Sequence, residues 1–78
     1  MSASNTLHSA LAQLDKGDWQ VAHKIVQSDE SAEGCWIHGI VHVMEGDLDN
    51  ARYWYKRAKR AFSDDTAKEV VAVKKSIL

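Results

Sequence analysis

Apolar side chains recur along this chain at steps of three and four, and the runs are separated by short polar or glycine-bearing breaks. Leu7, Ala10, Leu11 and Leu14 share one helical face, and the run halts at Lys16-Gly17, where glycine can take the left-handed conformation that closes a helix. Asp18 follows, its carboxylate able to accept the free amides of a new helix carrying Trp19, Ala22, His23 and Val26 on one side. The polar stretch from Ser28 to Ser31 breaks the pattern, and Ser31 is placed to cap a third helix beginning at Ala32-Glu33. In that helix Cys35, Trp36, Ile37, Ile40, Val41, Val43 and Met44 cover most of the circumference, which predicts a central element packed on several sides. Glu45-Gly46-Asp47 repeats the stop and the cap, and a fourth helix carries a regular seam of Leu48, Ala51, Tyr55, Ala58 and Phe62. Ser63 or Asp64 is expected to cap a fifth helix, with one stripe of Ala67, Val70, Val71, Lys74 and Leu78 and a second of Val70, Val73 and Ile77. That helix reads as a lid over the apolar end of the others, and the absence of proline agrees with an all-α chain.

The two reversals share one grammar. Gly17-Asp18-Trp19 and Gly46-Asp47-Leu48 each place an alanine, Ala22 or Ala51, three positions after the large apolar residue, and Gly46 follows Gly17 by 29 positions. Glycine turns the chain, aspartate starts the return helix and alanine permits close approach, so each unit predicts an antiparallel helical hairpin.

With Gly39, Gly46, Asp47, Ala51, Tyr55 and Ala58 at the small, turn and packing positions of the pattern, the chain resembles tetratricopeptide repeats (TPR). The resemblance covers residues 32–62 as one full unit and a degenerate first copy. It departs from the pattern in its period, which is about 34 residues in that family, and in having His38 and His42 where large apolar side chains are usual. It implies a single domain, 1–78, with a TPR-like right-handed stack: a first hairpin over about 6–28, a second over about 32–62 and a capping helix over about 64–77. It also implies a non-enzymatic module for protein interaction or self-association, with a protein or peptide, or a second copy, as partner. The combination Trp19-x-x-Ala22-His23, Trp36-Ile37-His38-x-x-x-His42, Glu45-Gly46-Asp47 and Asn50-Ala51-x-Tyr53-Trp54-Tyr55-x-Arg57-Ala58 further resembles a family of small bacterial proteins. That likeness carries no activity, ligand or partner with it.

Length and charge narrow the classes. A chain of 78 residues has a thin core, and its single cysteine, Cys35, excludes an intramolecular disulfide, so a reducing, cytoplasmic setting is expected. Met1 to Gln13 lacks the basic start and apolar run of a secretory signal, and no stretch approaches the roughly 20 apolar residues of a membrane span. Ten basic and eleven acidic residues give a formal charge of −1, so no global field favours nucleic acid.

The candidate chemistry lies in three groups. His38 and His42 stand four apart on one helix, a spacing that can chelate a transition metal, with His23 on the neighbouring helix as a third ligand. No glutamate follows His38, so the His-Glu-x-x-His pattern is absent, and packing between helices with hydrogen bonds to carbonyls, tyrosine or Glu45 is the ordinary reading. Trp19, Trp36, Tyr53, Trp54 and Tyr55 supply buried area, yet Tyr53 and Trp54 fall off the fourth-helix seam and are candidates for a groove or oligomer contact. Arg52, Lys56, Arg57, Lys59 and Arg60 form a basic run that reads as a solvated face, with phosphate binding as the alternative. The ligand or partner candidates are therefore Trp36, His38, His42, Arg52, Tyr53 and Trp54. No nucleophile and base pair, phosphate loop or carboxylate pair is recognisable; Cys35 beside His38 imitates one, but apolar surroundings make a thiol inert. No enzyme activity and no cofactor are expected.

Overall fold

The computed structural model describes residues 3–77 as five helices: α1 (Ala3–Asp15), α2 (Trp19–Val26), α3 (Ala32–Glu45), α4 (Leu48–Arg57) and α5 (Thr66–Ile77). Every regular element among the described residues is helical, and no described helix is long and apolar enough to cross a membrane.

The two Gly-Asp reversals close with the same hydrogen bonds. Gly17 sits at φ +78°, its N–H donates to Leu14 O at 2.9 Å, and Asp18 N–H donates to Gln13 O at 2.8 Å. Gly46 sits at φ +92°, with Gly46 N–H donating to Val43 O at 3.0 Å and Asp47 N–H to His42 O at 2.9 Å. Both are Schellman closures, in which the last carbonyls of one helix are satisfied by the turn itself. The aspartates then cap the next helix: Asp18 accepts from Val21 N–H at 3.2 Å and Asp47 from Asn50 N–H at 3.3 Å. Ser31 caps α3 through Gly34 N–H at 3.0 Å, as its position in the sequence suggests.

The later boundaries differ from the pattern. Helix α4 stops at Arg57 because Lys59 turns left-handed, φ +59°, and Arg60 N–H reaches back to Tyr55 O at 3.0 Å. Phe62 therefore lies beyond the helix and packs edge-on to Tyr55, with ring centroids 5.4 Å apart. Leu48, the other end of the expected seam, is 38% exposed. The cap of α5 is Asp65, which accepts from Lys68 N–H at 3.2 Å; Ser63 instead accepts from Asp65 N–H at 3.2 Å, and neither Ser63 nor Asp64 takes the role expected of them. The inward stripe of α5 is the second one, since Val70 and Val73 are buried whereas Val71 is half exposed; Leu78 lies outside the described residues.

Helix α3 is the centre. It packs on all four other helices, and every residue from Gly34 to Val41 is buried together with His42. Against α4 the approach is close enough to require glycine: a Cβ on Gly39 would lie 2.5 Å from Tyr55 Cδ1 and 3.3 Å from Ala51 O. Helix α5 is tied to this pair by one carboxylate. Glu69 Oε1 accepts from Trp36 Nε1–H at 3.1 Å and from Tyr55 O–H at 2.8 Å, so two polar atoms that the aromatic core could not otherwise satisfy are paired. At its other end α5 reaches α1 through Lys74 Nζ and Asp15 Oδ2 at 2.7 Å.

Candidate functional site

Close packing of α2 and α4 on α3 gathers three of the four histidines. His38 and His42 project from the same side of α3, their rings stacked with centroids 4.9 Å apart, and His23 of α2 meets them edge-on at 4.7 and 5.3 Å. One nitrogen from each ring lies within 4.8 Å of the other two. His38 and His42 are buried and His23 is partly exposed, so the cluster has an inner wall and an outer mouth.

From α4, the Trp54 indole lies flat on the His38 imidazole, with centroids 3.8 Å apart and planes 10° from parallel. Tyr53 meets Trp54 edge-on at 5.1 Å, and the Arg57 guanidinium stands 4.9 Å from the Trp54 centroid and 5.9 Å from that of Tyr53. A ladder of α3 and α4 side chains thus runs from buried imidazole to exposed tyrosine and arginine. Tyr53 is 53% exposed, the most exposed of the large apolar side chains among the described residues.

The polar atoms of the cluster are unequally satisfied. His42 Nδ1 lies 2.7 Å from Glu45 Oε1, one turn along α3; with Nδ1–H as donor, the lone pair stays on Nε2. His38 Nδ1 is buried and has no hydrogen-bond partner. Burial first, then the neighbouring His42, His23 and Arg57 charges, lowers the His38 pKa from 6.5 to about 4, so this ring is neutral at pH 7. An unpaired buried nitrogen costs about 1–3 kcal/mol. The ordinary packing role, in which every imidazole nitrogen finds a carbonyl, tyrosine or carboxylate, holds for His42 Nδ1 and not for His38 Nδ1.

The other candidates separate from this cluster. Trp36 is only 2% exposed and belongs to the α5 anchor, with Arg60 3.6 Å over its ring and Glu69 on its N–H. Arg52 packs over Phe62 at 4.8 Å and pairs with Asp49 at 3.5 Å, while Arg57 also reaches Glu30 at 3.8 Å, so part of the basic run is offset locally. Cys35 is buried, and burial, the largest effect, raises its thiol pKa, which favours the thiol over the thiolate. As a candidate, Arg57 was picked out only within the basic run, and Glu69 not at all. The three-residue step from Trp54 to Arg57 is a signal for the first; nothing local marks the second, which acts 33 residues from Trp36.

Comparison of the chain with protein-family profiles, with curated proteins and with solved structures found no match.

Proposed function

We propose that the chain is a non-enzymatic, TPR-like interaction module that holds a protein or peptide partner on the α4 surface through Tyr53, Trp54 and Arg57. The observation that carries this reading is the pre-ordered aromatic ladder: Tyr53, exposed, is braced by Trp54 and Arg57, and Trp54 is braced in turn by His38. Tyrosine, tryptophan and arginine are the side chains that concentrate binding energy at interfaces, and rings already fixed lose little entropy on binding. Lys56 and Lys59 flank the ladder and have no carboxylate within 4 Å among the described residues, so the complementary partner is a segment carrying acidic and apolar side chains.

The repeated Schellman closure at Gly17 and Gly46, the glycine at the α3–α4 contact and the terminal helix tied to α1 and α3 support a stack of two helical hairpins with a cap. Helix α5 packs on α1 and α3, the first helices of the two hairpins, and so covers part of the face between them, which favours the α4 face as the binding surface. Self-association through that face is the same proposal with a second copy as partner.

Two measurements test it: sedimentation velocity over a wide concentration range, and affinity capture with the wild-type chain and the Tyr53→Ala/Arg57→Ala variant as baits. The proposal expects a partner, or a dimer, that the double variant loses while keeping its helical circular dichroism. A strictly monomeric chain with no partner distinguishing the two baits refutes it.

A further inference from the structure

We propose that His23, His38 and His42 form a binding site for a divalent late first-row transition ion, of which zinc is the representative. This concerns the donor nitrogens of the cluster, whereas the interaction reading concerns the outer face of α4; the two share the His38 ring, on which Trp54 stacks.

Three observations carry it. The first is convergence: helices α2 and α3 bring three imidazoles together with one nitrogen from each within 4.8 Å of the others, an all-nitrogen donor set of the kind that zinc, copper and nickel prefer. The second is the unpaired His38 Nδ1, on a side chain 4% exposed. A buried imidazole nitrogen kept without a hydrogen-bond partner, where leucine would pack at no such cost, is free to serve as a donor to an ion. The third is Glu45. By holding Nδ1–H of His42 it fixes the tautomer and leaves Nε2 as the donor, the carboxylate–histidine arrangement that orients metal-bound imidazoles.

Around tetrahedral zinc, with Zn–N near 2.0–2.1 Å, donor nitrogens stand about 3.4 Å apart, so nitrogens within 4.8 Å of one another need approach by no more than about 1.4 Å. Rotation and a small inward movement of His23, the one partly exposed ring, would close the spacing with the Trp54 stack on His38 and the Glu45 contact of His42 left in place. His23 is also the route in, because it forms the mouth of the cluster. Three protein ligands leave a fourth position for water or another small donor. A second grouping, His42 with Glu45 and Asp47, is a weaker alternative: both carboxylates are exposed, and His42 Nδ1 and Glu45 already satisfy each other.

The test uses the full chain without a histidine tag, stripped with chelator and titrated with zinc chloride by calorimetry, then with cobalt chloride by absorption. The expected result is one ion per chain, a rise in melting temperature with zinc and a visible d–d band with cobalt. His23→Gln alters the partly exposed ligand and is the variant best able to retain the fold; it should weaken zinc binding by more than the roughly 10–100-fold loss that changes to the groups behind the ligands produce. Glu45→Gln should weaken it about tenfold. His38→Gln should abolish the cobalt band, and if that variant does not fold, His23→Gln decides alone. Failure of zinc to bind below millimolar concentration, or binding that His23→Gln leaves unchanged, overturns the proposal. Loss of the site in His23→Gln, which leaves the Trp54 stack on His38 in place, with the α4 partner still captured would leave the interaction reading standing.

Discussion

The contact that places α4, and with it Trp54 over His38, is between Gly39 and Tyr55, so Gly39→Ala is the most informative single change. The new methyl carbon would stand 2.5 Å from Tyr55 Cδ1 and 2.8 Å from Cε1, where relaxed carbon contacts are about 3.5–4.0 Å. Tyr55 cannot yield freely: it is 1% exposed, and its hydroxyl is held by Glu69 at 2.8 Å. Relief requires either α4 to move out by about 1 Å or the tyrosine to abandon its partner, and overpacking against so constrained a ring costs about 2–3 kcal/mol, the upper part of the usual range. Replacing a mid-helix glycine by alanine returns about 1 kcal/mol. The net effect is a destabilisation of about 1–2 kcal/mol, which lowers Tm by roughly 5–15 °C in a domain of this size. Thermal and urea denaturation followed by circular dichroism measure it, and Tyr55→Leu added to Gly39→Ala should recover part of the loss relative to additivity. A Gly39→Ala protein as stable as wild type would refute a close α3–α4 contact at this position.

Three other expectations follow from single groups. Because the His38 pKa is lowered from 6.5 to about 4, the unfolded chain binds its proton first as pH falls, so this residue's contribution is complete above pH 6.5 and is lost, by about 3 kcal/mol, on descending to pH 4. Urea midpoints at several pH values should show a shallower acid dependence in His38→Leu, and higher stability at pH 7 because the unpaired nitrogen is gone; identical pH curves would contradict this. Glu69→Ala deprives Trp36 Nε1–H and Tyr55 O–H of their acceptor and should cost about 2–4 kcal/mol, with faster hydrogen exchange at the Trp36 indole as the specific sign. Lys59→Gly removes a left-handed lysine, φ +59°, and should raise stability by up to about 1 kcal/mol; a loss would mean that the lysine side chain matters more than its backbone strain.

Residues whose roles are set within one turn were readable from the chain. Gly17, Asp18, Ser31, Gly46 and Asp47 act on backbone groups three to five positions away, and their chemistry alone specifies helix ends. The seam of α4 was readable only in its middle, since periodicity records that Ala51, Tyr55 and Ala58 share a face but not that Leu48, the first residue of the helix, stays 38% exposed. Phe62 continues the spacing without continuing the helix, because lysine at position 59 takes a conformation for which glycine is the usual signal. The histidine trio was visible as a possibility from the i, i+4 spacing of His38 and His42. The flat Trp54 ring and the unpaired His38 Nδ1 were not, because both depend on how close α4 comes to α3. Trp36, an aromatic like Tyr53 in the sequence, proved different in place: one is sealed by Glu69 and Arg60, the other half exposed.

The account depends most on three imidazoles and one indole meeting where α2, α3 and α4 converge. A nuclear Overhauser spectrum of the metal-free chain tests that directly. It should contain cross-peaks linking the ring protons of His38 to those of His23, His42 and Trp54, with the His38 resonances shifted upfield by the indole stacked 3.8 Å away. Absence of the His38–Trp54 and His38–His23 cross-peaks from a folded, helical sample would contradict it.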